Sequence, residues 1–302
     1  MGDKSRIEWT DASWNPIRAR CAGKVGWHCE KVSEGCRNCY SESMNRRLGT
    51  VRPFKAGERR NGVELFLDEK MLTQPLRWEK PRKIFPCSMT DLFADFVPDE
   101  WIDKVFAVMA LTPHHTHQIL TKRTARMRQY CESVTLARLM AAASSLPESL
   151  GPRAVPAQWP LPNVWHGTSI CNQDDADKFI PELLATPAAV RFVSCEPLLG
   201  PVHLLTCSVC NSTKADFCNG CRCARPMRGL DWVICGDESG PGRRFCSIDW
   251  VRGLRDQCAV GGVPFFLKQL HINRRKVAMP ELDGRVWDQM PAQETEAHHE
   301  DA

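Results

Sequence analysis

Six short runs of apolar and β-branched residues recur along the chain: KIFPCS (83–88), THQILT (116–121), NVWHGTS (163–169), VRFVSC (190–195), DWVICG (231–236) and PFFLKQ (264–269). Each is bounded by charged or turn-forming residues, and longer amphipathic stretches lie between them. That is the pattern of parallel βαβ units, and a weaker strand is expected at WNPIRA (14–19). DEWIDKVFAVMAL (99–111) follows Pro98 and opens with acids, as a helix start should. DDADKFIPELLAT (174–186) and SIDWVRGLRDQCAV (247–260) predict helices in the same way.

The polar positions carry a second pattern. MTDLF, KRTARM, SICNQDD, EPLLGP and DESGPGRR each follow a predicted strand, so charged and Gly/Pro-rich segments gather at strand C-termini. In a parallel barrel or a doubly wound sheet that edge is where a site is built. The expected fold is α/β, a full or partial (β/α) TIM-like barrel, with a flat doubly wound sheet as the alternative. The expected organisation is a barrel over 1–201 and 230–290, interrupted by a cysteine-rich insertion at 202–229 and followed by a disordered acidic tail at 291–302. Residues 132–162 predict a helix followed by a loop.

Composition sharpens this in one respect. The chain has 302 residues, 43% hydrophobic and 25% charged, and a formal net charge of +4, all ordinary for a globular protein. No run of eighteen apolar residues and no secretory signal is present, which predicts a cytoplasmic protein without a membrane partner. The sixteen cysteines are unusual for a reducing compartment, where thiols persist as metal ligands, small core residues or reactive groups. Cys87, Cys195 and Cys235 lie in apolar runs and are expected to be inert core thiols.

Two groups remain. Cys29, Cys36 and Cys39 supply three thiolates with no fourth cysteine at mirrored spacing. Three alternatives fit: a zinc knuckle completed by His28 or Cys21, a disulfide remnant, or a four-iron cluster held by three thiolates with one iron open. Their place after the first predicted strand, at the polar edge, favours the cluster. Cys207, Cys210, Cys218 and Cys221 form two CxxC pairs, with Cys223 as an alternative ligand. Paired thiolates on turn residues predict a zinc knuckle that would fold a polar insertion lacking a core, and an auxiliary iron–sulfur cluster is the alternative. The insertion also carries Lys214, Arg222, Arg225 and Arg228, which suits a nucleic-acid backbone.

The motifs IEWTDASWNP (7–16), CEKVSEGCRNCYSE (29–42), SMTDLFADFVPDEWI (88–102), LTKRTARM (120–127), RFVSCEPLLGP (191–201), DWVICGDESGPGRR (231–244), GVPFFLKQ (262–269) and MPELDGRVWDQMP (279–291) run in order through the chain. Together they resemble a phage- and prophage-associated three-cysteine-motif family of the radical S-adenosylmethionine (SAM) superfamily, distantly similar to spore photoproduct lyase. The resemblance implies a 4Fe-4S cluster on Cys29, Cys36 and Cys39. S-adenosyl-L-methionine would bind the open iron and be cleaved reductively to a 5′-deoxyadenosyl radical, with a flavodoxin- or ferredoxin-like carrier as reductant. This sequence departs from most of the superfamily, which has a shorter gap between the first two cysteines and an aromatic just before the last. Here six residues intervene and the aromatic, Tyr40, follows Cys39.

With the resemblance, cofactor contacts are expected from Tyr40, Ser88, Thr90, Asp91, Lys122 and Arg123, and from Glu196 as a carboxylate at a strand C-terminus beside the rigid Pro197 turn. Ser88, Thr90 and Asp91 would meet the methionine amino group, Lys122 or Arg123 its carboxylate, and Glu196 a ribose or substrate hydroxyl. Simpler roles compete: Asp91 as a turn cap, Lys122 or Arg123 paired to an acid, Glu196 in a salt bridge. The loop holding Asp237, Glu238, Arg243 and Arg244 is expected to face substrate. The expected function is a radical SAM enzyme acting on nucleic acid or a nucleotide. Its alternatives are a non-catalytic zinc-stabilised nucleic-acid-binding protein and a peptide-modifying radical enzyme.

Overall fold

The computed structural model describes residues 4–56, 62–147, 155, 157–204, 206–207, 224–225, 229–240 and 242–292. Its strands are β1 (Ala12–Trp14), β2 (Ile17–Cys21), β3 (Lys24–Gly26), β4 (Glu64–Leu67), β5 (Lys83–Pro86), β6 (Thr116–Thr121), β7 (Val164–Ile170), β8 (Val190–Cys195), β9 (Thr206–Cys207), β10 (Ala224–Arg225), β11 (Trp232–Gly236), β12 (Phe265–Ile272), β13 (Arg275–Ala278), β14 (Glu281–Leu282) and β15 (Arg285–Val286). Its helices are α1 (Tyr40–Leu48), α2 (Glu69–Leu72), α3 (Asp99–Ala110), α4 (Thr124–Ser133), α5 (Leu136–Ser144), α6 (Gln173–Ala185) and α7 (Ile248–Gly261).

The main sheet has the order β1-β5-β6-β7-β8-β11-β12-β13. Every neighbouring pair from β1 to β12 is parallel, and β13 returns antiparallel. The order never reverses, as it must in a doubly wound sheet. The eight strands instead curl into a half-barrel.

Alternation along the strands separates two cores. Ile84, Ile119, Val193, Val233, Phe265 and Leu267 join the apolar faces of the helices in the larger one. Phe85, Trp165, Phe192, Trp232, Ile234 and Phe266 point the other way and close around Trp9 inside the half-barrel. Trp232 makes edge contacts with Trp9 at 6.2 Å, Trp165 at 5.9 Å and Phe266 at 5.9 Å between ring centroids. Gly167 makes room for this packing: a Cβ there would lie 2.4 Å from the Phe192 ring.

The six main strands and three helices fall where the sequence predicts them. Asn172 caps α6 by accepting from the Asp175 N–H at 3.0 Å, and Ser247 caps α7. Gly262 ends α7 in the left-handed region at φ 66°, which glycine adopts without strain. The stretch 14–19 is a correction. Trp14 ends β1 in the main sheet, whereas Ile17–Cys21 pairs with β3 and β4 in a separate three-stranded sheet. Pro16 has no N–H to continue a ladder, and the Asn15 side-chain Oδ1 accepts from the Met89 N–H at 2.9 Å where the chain turns out of the sheet.

Within the predicted insertion, β9 pairs with β10 in a short antiparallel ladder. Cys210, Cys218, Cys221 and Cys223 lie outside the described residues, and Cys207 is described by its backbone alone. The predicted tail lies outside them from residue 293 onward. Among the described residues no helix is long and apolar enough to cross a membrane.

Candidate cofactor site at the strand C-termini

Toward their C-terminal ends the inward positions of the strands shrink. Trp165 gives way to Ser169 on β7, Phe192 to Ser194 on β8, and Trp232 to Gly236 on β11. The space released is a cavity of about 190 Å³. Its walls bring together Cys29, Cys36 and Cys39 with Tyr40, Ser88, Thr90, Asp91, Lys122, Glu196 and Glu238. Of the residues expected from sequence, Arg123, Asp237, Arg243 and Arg244 are not in the wall.

The three cysteines are free thiols on a loop with little regular structure of its own. Cys36 ends a 3-10 turn over Glu34–Cys36, and Cys39 is the N-cap residue of α1. Burial pushes the Cys29 thiol well up, and the Asp91 carboxylate and the two other cysteines add to the effect, against the nearby Arg123. Three thiols are soft donors of the kind a metal centre takes, and a bound cation would offset the burial that opposes ionisation of Cys29. Among the described residues no three His, Cys, Asp or Glu side chains gather closely enough to hold a single ion. His28 and Cys21, the candidates to complete a zinc tetrahedron, are absent from the cavity wall; Cys21 Sγ instead accepts from Arg52 Nε at 3.2 Å.

Asp91 ties the edge of the cavity together. Its Oδ1 accepts from Thr121 Oγ1 at 2.7 Å and from the Phe93 N–H at 3.0 Å. Its Oδ2 accepts from the Lys122 N–H at 3.2 Å and from Arg123 Nη1 at 3.0 Å. Arg123 also approaches Glu30 Oε2 at 3.8 Å, so this guanidinium is spent on two acids. Lys122 differs. Its ammonium donates to Ser169 Oγ at 2.5 Å, and among the described residues no carboxylate lies within ion-pair distance of it. Ser169 Oγ in turn donates to the Glu196 carbonyl oxygen at 3.1 Å.

The Glu196 carboxylate accepts from Lys268 Nζ, the salt bridge foreseen as its simpler role, with side chains 18% and 12% exposed. Tyr40 OH donates to the Ser88 carbonyl oxygen at 2.5 Å, and burial raises its phenol, with Cys39 and Glu196 adding to the rise. Ser88 Oγ meets Asn15, and Thr90 Oγ1 donates to the His28 carbonyl oxygen.

The loop expected to face substrate is largely occupied with the protein itself. Asp237 Oδ2 accepts from the His271 N–H at 2.6 Å and contacts His271 Nδ1 at 2.6 Å. Burial would raise the Glu238 carboxyl, but hydrogen bonds from Arg244 and Asn38 outweigh it and hold the group below the usual carboxylate range. Cys195 and Cys235 are core thiols as expected. Cys87 belongs to the core and also lines the cavity, in the left-handed region at φ 55°. Sequence reasoning missed Lys268, Ser169, Asn38 and His271. Only Lys268 left a signal, as a charge directly after the apolar run Phe265–Leu267 of its strand.

A half-barrel that brings Cys29, Cys36 and Cys39 together with Lys122, Lys268, Asp91, Glu196 and Glu238 at its strand C-termini defines an α/β protein with a polar site at that edge. The chain belongs to the family described as protein of unknown function (DUF5131), whose model matches residues 4–291. No curated protein and no solved structure matches it.

Proposed function

We propose that the protein is a radical SAM enzyme whose substrate is nucleic acid or a nucleotide. One observation carries the proposal: three free thiols line the same cavity as Lys122, an ammonium that no described carboxylate neutralises. Cys29, Cys36 and Cys39 would hold a 4Fe-4S cluster, and Lys122 with Ser169 would take the methionine carboxylate of S-adenosyl-L-methionine, a role Arg123 is too occupied to fill. Glu196, held by Lys268, would accept from the ribose. The chemistry such a centre supplies is one-electron cleavage of the sulfonium C–S bond to methionine and a 5′-deoxyadenosyl radical, the electron coming from a flavodoxin- or ferredoxin-like carrier and the radical taking a hydrogen atom from substrate.

The chain's own work is to orient. Tyr40, Ser88 and Asp91 fix the loop that meets the methionine, and the aromatic floor around Trp9 keeps water from below the site. Zinc on Cys207, Cys210, Cys218 and Cys221 would fold the insertion, whose cations suit a phosphate backbone.

Anaerobic reconstitution with iron and sulfide tests the proposal. The expected product is brown, holds about four irons per chain at the first group, and forms 5′-deoxyadenosine from S-adenosyl-L-methionine under dithionite. Colourless protein that holds only zinc and cleaves nothing after reconstitution overturns it in favour of a zinc-stabilised nucleic-acid-binding protein. Stimulation of cleavage by a peptide and not by DNA, RNA or nucleotides overturns the substrate class.

A further inference from the structure

The 27–39 segment makes few hydrogen bonds within itself: a 3-10 turn, in which the Cys36 N–H donates to the Ser33 carbonyl oxygen at 3.0 Å and the Arg37 N–H to that of Glu34 at 3.1 Å, is its only regular element. Its shape is set largely from outside, and beside the Thr90 bond to His28 two ties come from arginines distant in sequence. At the early end, Arg123 holds the Glu30 carbonyl oxygen at 3.4 Å while anchored on Asp91. At the late end, Arg244 reaches Glu34 twice, at 2.7 Å to Oε1 and 3.1 Å to the carbonyl oxygen. The same guanidinium grips the Glu238 carboxylate through Nη2 at 2.5 Å and Nε at 3.0 Å.

Glu238 is buried, and its Oε2 also accepts from Asn38 Nδ2 at 3.0 Å, one residue before Cys39. Asn38 further donates to the Gly242 carbonyl oxygen at 3.0 Å. Charge-assisted, two-pronged contacts of this kind fix geometry as well as add energy, and partial burial shields them from salt.

We propose that Arg244, Glu238 and Asn38 are positioning residues, which hold the 34–39 stretch so that Cys36 and Cys39 face the cavity before any metal centre is inserted. The Arg123 pairing does the same for Cys29, so the two ends of the cysteine loop are secured independently. This assignment rests on the reading of the three cysteines as a cluster seat for its purpose, though not for its geometry. It gives Glu238 and Arg244 a role toward the cysteines in place of substrate contact.

Pulsed alkylation of the full-length metal-free protein with iodoacetamide, read by mass spectrometry at each cysteine, tests it. Arg244→Ala is expected to speed modification of Cys36 and Cys39 about tenfold, since a charge-assisted bond of this kind shifts an opening equilibrium by about that factor. Cys29 should change little. Glu238→Gln, which keeps shape and removes the charge, should give a smaller change in the same two residues, and Arg244→Lys should recover part of the protection. Hydrogen exchange of β7 serves as the control for global folding. Unchanged alkylation of Cys36 and Cys39 in both Arg244→Ala and Glu238→Gln overturns the proposal, as does an equal rise at Cys29. Loosening of Cys36 and Cys39 in a protein whose wild type takes up no iron would instead leave the clamp standing and remove the cluster.

Discussion

The two ends of the half-barrel interior use the same strands for opposite purposes. At the N-terminal end the inward positions hold Trp165, Phe192, Trp232 and Phe266, locked around Trp9 with no room to spare. Two or four residues further along they hold Ser169, Ser194, Gly236 and Lys268. Backbone spacing is common to both ends, so shrinking the side chains converts a packed core into a cavity without any change of topology. One end therefore carries stability and the other is free to carry chemistry.

Truncating the floor should have the largest effect. Trp232→Ala is expected to cost about 3–5 kcal/mol in urea unfolding, through lost burial and the cavity left behind; a loss under about 1 kcal/mol would mean that the floor is not a core. Gly167→Ala should cost about 1–3 kcal/mol by overpacking, because its Cβ would meet the Phe192 ring at 2.4 Å. Phe192→Leu in the same chain should recover much of that loss, as a double-mutant cycle would show.

Lys268→Met leaves the Glu196 carboxylate without its partner and should cost about 1–3 kcal/mol, with recovery in the double variant with Glu196→Gln. The titration of His166 separates the outer core from the cavity. Burial, with Arg191 adding, pushes its imidazole down to about 3, so the native state holds it neutral while the unfolded chain protonates near 6.5. More protons are then bound by the unfolded chain between these values, and stability should fall by about 1.4 kcal/mol per pH unit as pH drops below 6.5. His166→Gln should remove that contribution; His117, shifted down by burial, adds a slope of its own. The smallest effect is expected at the cavity wall, where Ser194→Ala should change stability by less than about 0.5 kcal/mol.

Much of this architecture could be read from the chain because it depends on local pattern. VRFVSC and DWVICG are too apolar for anything but a covered strand, and both form neighbouring strands of the sheet. The polar segments after each strand marked the site edge for the same reason. What sequence could not supply were pairings set by the curl of the sheet. Nothing local links Arg244 to Glu34, 210 positions away, or Lys268 to Glu196. Nor could pattern divide Lys122 from Arg123: they are adjacent cations, and only the fold gives Asp91 to one and a serine hydroxyl to the other.

The short β9–β10 ladder has a consequence for how such chains change over time. Cys207 and Ala224 are direct partners, so the excursion between them leaves and re-enters at one spot, while β8 and β11 on either side pair directly with each other. A graft joined at such a closed neck can be gained, lost or exchanged with no shift of register in the sheet. Replacing 208–223 by a two-residue turn should leave the half-barrel's unfolding unaltered, making this neck a point where segments can be exchanged on a fixed sheet.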